Sequence, residues 1–199
     1  MQIRQAGRRL AANLAKNGNI DEKYIELYAR AMEIGLAIIL NVVTILIIGG
    51  IIGMWWESIV LLALIIPLRS YTGGYHTRNY LRCYLTSTGL LTGSLLFLRF
   101  ELGNREMEQT LSAVFVIAVA AILIYAPQPD DNRPLTTSER RIFRRRAAAI
   151  AIIESIGGVV LVLSGNDCGY VAMMAVVVCA CAVILKVFCR MVQNRGLRG

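Results

Sequence analysis

Residues Arg69 to Cys83 read Arg-Ser-Tyr-Thr-Gly-Gly-Tyr-His-Thr-Arg-Asn-Tyr-Leu-Arg-Cys, and they hold the chain's only histidine, His76, seven residues ahead of Cys83. The stretch lies between two apolar segments. A thiol and an imidazole at the mouth of a membrane segment are the parts of a thiolate nucleophile and its general base. Cys83 opens the next apolar run, so it sits where a helix N-terminus favours an anionic sulfur, with Arg78 and Arg82 close in sequence. The alternative is that His76 is an interfacial polar residue and Cys83 a small apolar one. Spacing adds a condition. Seven residues of straight helix separate two groups by about 10.5 Å along the axis, so His76 can meet the sulfur only if the chain bends between them. The residues alone leave both readings open.

Three further features bear on this pair. Glu154 falls two turns into a later apolar run, where an ionisable group is costly without a partner. It is a candidate to orient the imidazole, against a structural ion pair or a neutral carboxyl bonded to Ser or Thr. Arg140, Arg141 and Arg144 belong to a run of arginines that could receive an acidic peptide, although membrane topology alone would explain them. Cys168, Cys179, Cys181 and Cys189 read as small apolar residues. The five cysteines show no paired spacing, so neither a disulfide framework nor a metal site is expected. With no Walker loop and no GxGxxG, no nucleotide cofactor is expected, and no nucleic acid is expected as a partner.

The elements that must position these residues are membrane helices. The chain has 199 residues, 56% of them hydrophobic and gathered in long blocks, with a net charge of +8. Residues 1–33 read as a basic amphipathic segment rather than a removable signal peptide, with Asp21 as a helix cap. Residues 34–189 read as one transmembrane domain, and residues 190–199 as a basic tail. Within the domain, spans are expected at 34–54, 81–100, 110–126, 147–163 and 170–188. A short segment at 58–68, with Pro67 breaking its end, is either a tilted crossing or a re-entrant hairpin. Gly49 with Gly53, and Gly89 with Gly93, each give a face for close helix packing. Charge chooses between the two readings of the short segment. With six crossings and both termini in the cytoplasm, 19 of the 21 Lys and Arg fall inside, leaving Arg99 and Arg105 outside. The expectation is therefore an all-α, polytopic membrane bundle of about six transmembrane helices, with His76 and Cys83 at the cytoplasmic face.

Arg69, Gly73, Gly74, the aromatic Tyr75, His76 and Cys83 resemble the signature of the accessory gene regulator B (AgrB-like) family. Ala126-Pro127, then Asp130, Asp131, Arg133 and Pro134, resemble that family's second block. The resemblance covers essentially the whole chain. It implies an integral-membrane cysteine endopeptidase of bacterial quorum sensing, acting on an AgrD-like propeptide in the cell membrane. Cys83 would be the nucleophile and His76 its base. The product would be a thiolactone or lactone closed from a Cys83 thioester. The resemblance also implies a homodimer, which the glycine faces would permit, although internal packing would use them equally well. Within this scheme Gly73 and Gly74 are candidate oxyanion donors and Arg69 a candidate carboxylate contact. The rival readings are a non-catalytic peptide exporter or scaffold, and a small transporter with an incidental His and Cys.

Overall fold

The structure, a computed structural model, describes residues 24–73, 80–101, 103–128 and 136–196, together with residues 9, 12 and 13. The described residues form six helices and no strand. These are α1 (Ile25–Ile52), α2 (Trp55–Thr72), α3 (Tyr80–Glu101), α4 (Arg105–Tyr125), α5 (Thr137–Leu163) and α6 (Cys168–Gly196). Four of them, α1, α4, α5 and α6, are long and apolar enough to cross a bilayer. Most of the predicted amphipathic start, Asp21 included, lies outside the described residues. The helix that follows it runs unbroken from Ile25 through the expected 33/34 boundary.

Local signals set the ends. Gly53 closes α1 in the left-handed region, at φ 79°. The Asn104 side chain accepts the Glu106 amide at the start of α4. Thr136 and Glu139 form a reciprocal capping box that starts α5 ahead of its arginines. Pro67 behaves differently from the expectation. It lies inside α2, and the helix continues past it to Thr72. A proline costs a helix one backbone bond, and here the rest of the helix is held by its neighbours. Leu61, Leu62, Ile65 and Leu68 are all buried in the bundle. At 18 residues α2 is about 27 Å long, close to one hydrocarbon thickness.

The bundle is built around α6, which packs against α4, α5 and α2 and more lightly against α3. Ala172, Ala175, Ala180 and Ala182 are buried on it among valines and methionines, and such small side chains let neighbouring backbones come close. The tightest approach is to α5. A Cβ added at Gly169 would lie 2.6 Å from both the Gly158 carbonyl oxygen and the Val162 nitrogen. On the outside, Ile51 is 80% exposed and Leu163 82%, the outward apolar surface of a helical bundle in lipid. The glycine pairs divide. Gly49 lies against Ser58 of α2, and Gly53 is the α1 cap, so this pair is used within the chain. Gly89 and Gly93 on α3 have open space before them.

Gly169→Ala therefore overpacks the α5–α6 crossing, at a cost of about 1–3 kcal/mol. It should lower the thermal unfolding midpoint in detergent, while Gly157→Ala, at an exposed glycine of α5 with open space before it, should hold or raise it. Equal midpoints for the two variants would remove the crossing as a source of stability.

Candidate active site

Contacts of α1 with α2, of α4 with α5 and of α5 with α6, together with the Gly73–Gln128 and Tyr71–Arg146 pairings, bring the starts of α1 and α5 and the ends of α2, α4 and α6 to one end of the bundle. Arg69, Arg140, Arg141, Arg144, Arg145, Arg146, Lys186 and Arg190 lie towards this end. Towards the other lie Glu57, Arg99, Arg105, Glu106, Glu108 and Asp167. That second end is tied by the Tyr170 hydroxyl, which donates to Glu108 Oε2 at 3.0 Å.

Cys83 is in the first turn of α3, half-buried, and forms no disulfide. Its helix is fixed laterally to α1 by two polar contacts. Tyr84 and Thr44 share a hydrogen bond of 2.8 Å, and Asn41 Nδ2 donates to Thr88 Oγ1 at 3.4 Å. Asn41 and Thr44 are thus helix-to-helix ties beside the cysteine, a use that polar groups commonly have in lipid. His76 and Gly74 lie outside the described residues, as do Asp130, Asp131, Arg133 and Pro134.

The end of α2 meets the end of α4 through backbone. The Gln128 amide donates to the Thr72 carbonyl at 2.9 Å, and Gly73 pairs with Gln128 in an isolated parallel bridge. Gly73 has φ +67°, and a Cβ there would collide with the Gln128 carbonyl oxygen, so the position requires glycine twice over. Two sequence blocks some fifty residues apart, one at Arg69 to Gly73 and the other at Ala126 to Gln128, therefore meet in space. A side-chain clamp lies beside them. Arg146 Nη1 donates to the Tyr71 hydroxyl at 3.3 Å, with its guanidinium 5.5 Å from the ring centroid. Phe143 meets the same ring edge-on at 5.6 Å. Sequence reasoning singled out none of Tyr71, Gln128, Phe143 and Arg146 as supports. The available signal was the Phe143–Arg146 pair, three apart on a helix and so on one face.

The other candidates lie on α2 and α5. Arg69 is half-buried on the last turn of α2. Arg140, Arg141 and Arg144 line an open cleft of about 250 Å³ between the last turn of α4 and the first turns of α5. Glu154 is buried on α5, and neither carboxyl oxygen has a hydrogen-bond partner. It lies within electrostatic range of the buried Cys179 thiol, as does Arg69. Among the described residues, no cluster of His, Cys, Asp and Glu could hold a metal ion.

The accessory gene regulator B (AgrB) profile matches residues 8–189, a range that includes both sequence blocks and all six helices up to Cys189. The chain belongs to the accessory gene regulator B family. It is similar to "Putative AgrB-like protein 1" of Clostridium perfringens (strain 13 / Type A), with 22% identity over 123 residues. That match covers 62% of this chain and 64% of the relative, so it spans under two-thirds of the relative's length. No solved structure matches the chain. The family takes its name from the accessory gene regulator, and it is linked to propeptide processing. Together with the apolar helices, AgrB membership also makes this a membrane protein.

The bare carboxyl of Glu154 yields a prediction. A buried polar group without a partner costs about 1–3 kcal/mol, and leucine has nearly its volume. Glu154→Leu should unfold in detergent at the same or a higher temperature than the wild type. A loss of more than about 2 kcal/mol would show that the carboxyl is paired in the native state.

Proposed function

We propose that this AgrB-family chain is a membrane cysteine endopeptidase and peptide cyclase, with Cys83 as nucleophile and His76 as its general base. The observation that carries the reading is the setting of Cys83. It lies in the first turn of α3, a helix that begins seven residues after Gly73, where the Arg69–Gly73 block pairs with the Ala126–Gln128 block. The positive end of the α3 dipole faces a sulfur that must bear negative charge during attack. His76 lies between Gly73 and Tyr80 in the sequence, four residues before α3 starts.

In this reading the Cys83 thiolate attacks the carbonyl that ends the signal core of an AgrD-like propeptide. The carbon–nitrogen bond breaks, and the imidazolium of His76 gives its proton to the departing amine. The C-terminal tail leaves, and the core remains as a thioester on Cys83. An internal thiol or hydroxyl of the core then attacks the thioester, closes the ring and returns the thiolate. Exchanging one thioester for another is nearly balanced, so the second step needs no ATP. A nucleophile at the edge of a membrane bundle also limits competing hydrolysis. Gly73, Gly74 and Arg69 would support the bound carbonyl and the tail.

The gathering of Lys and Arg at the end where the two blocks join supports a cytoplasmic active site, with both termini on that side and six crossings. The uncovered Gly89–Gly93 face of α3 supports a second copy of the chain as partner, since the Gly49–Gly53 pair is taken internally.

Two measurements test this reading. Cys83→Ala and His76→Ala should each abolish cleavage of a co-expressed propeptide, with the membrane level of the protein unchanged. Normal cleavage by Cys83→Ala would favour an exporter or scaffold instead. For sidedness, a variant retaining only Cys168 should react with an impermeant thiol reagent added to intact cells, and one retaining only Cys83 should not. The opposite pattern would invert the topology.

A further inference from the structure

We infer that the cleft between the end of α4 and the start of α5 is a binding site for the phosphate headgroup of an anionic phospholipid. Arg140, Arg141 and Arg144 are all exposed, and all three line it. None of the three has a hydrogen-bond or ion-pair partner among the described residues. By contrast, Arg146, two residues on, is engaged by Tyr71. Three unpaired guanidiniums line it together with Thr137 at the start of α5, whose dipole adds positive potential. This is a constellation for an anion with several oxygens.

The surroundings favour a lipid over an acidic peptide. The opposite wall is the last turn of α4, a helix apolar enough to span. Its Ile124 is 65% exposed and its Tyr125 47% exposed. Tyrosine at the end of a span marks the headgroup level, and an exposed isoleucine above it faces acyl chains. Ile142 stands exposed among the arginines themselves. The cleft thus opens onto the lipid-facing surface as well as onto water. Its volume of about 250 Å³ suits one phosphoglycerol group rather than several residues of peptide. Basic pockets between helices at the membrane surface hold lipid headgroups in this way.

Native mass spectrometry of the full chain in detergent tests the proposal. Phosphatidylglycerol and phosphatidylcholine with the same acyl chains would be added to the wild type and to variants. The wild type should retain one phosphatidylglycerol in preference to phosphatidylcholine. Arg141→Gln should weaken that retention roughly fivefold, and the triple Arg140→Gln, Arg141→Gln, Arg144→Gln variant about a hundredfold. Arg145→Gln removes an equal charge from an exposed residue that does not line the cleft, and should change little. All four positions are exposed, and an unchanged melting temperature confirms that the variants fold. Excess soluble glycerol phosphate should fail to displace the lipid, because the acyl chains contribute to its hold. Equal loss with Arg145→Gln would reduce the effect to general attraction and overturn the site. A hydrophilic Glu-rich peptide that binds in an Arg141-dependent way, with phosphatidylglycerol retention unchanged, would overturn it in favour of a peptide.

Discussion

Lipid tails are as apolar as leucine, so helices in a bilayer gain little by hiding apolar side chains from one another. What holds them is close contact, and here that contact is concentrated on α6. Its alanines bring α4, α5 and α2 within packing distance, and Gly158 with Gly169 lets two backbones touch. α1 and α3 stand outside this group. α1 leans on α2 and α3, and α3 meets α6 only lightly. The helix that carries Cys83 is therefore a flank of the bundle, steadied by hydroxyl and amide ties to α1 rather than by a deep apolar contact.

The basic end of the bundle is assembled from pieces far apart in the chain. Backbone pairing at Thr72, Gly73 and Gln128 fixes the end of α2 to the end of α4, and the Tyr71–Phe143–Arg146 cluster fixes both to α5. The division of labour among arginines follows. Arg146 is committed to Tyr71, Arg69 lies half-buried within electrostatic range of Cys179, and Arg140, Arg141 and Arg144 remain exposed along the cleft. A run that looks uniform in sequence thus contains at least two structural roles.

Helical class and the family were legible in the sequence, because apolar length and a dense motif survive without tertiary information, whereas α1 and α5 begin at Ile25 and Thr137, well ahead of the apolar runs expected from 34 and 147. Pro67 was not. Its effect on α2 depends on neighbours that bury Leu61, Leu62, Ile65 and Leu68, and local rules describe only the isolated segment. The two glycine pairs looked equivalent at equal spacing, yet one is occupied by Ser58 and a helix cap while the other faces outward. The meeting of Gly73 with Gln128 was likewise beyond reach, since backbone pairing between distant segments leaves no periodic signal. Glu154 was legible as an anomaly, but its lack of a partner could only be seen in three dimensions.

The character of α2 bears on how the protein is made. It is less apolar than the four strongest helices and interrupted by Pro67, yet it occupies the bundle interior against α5 and α6. Segments of that kind partition into bilayers reluctantly when alone. Two of the neighbours that seat α2, α5 and α6, follow it in the chain, so its final position waits until both have been made. Biogenesis thus delays the packing of α2 until those two helices are present, and a product truncated before α6 would lack that support however intact its Cys83.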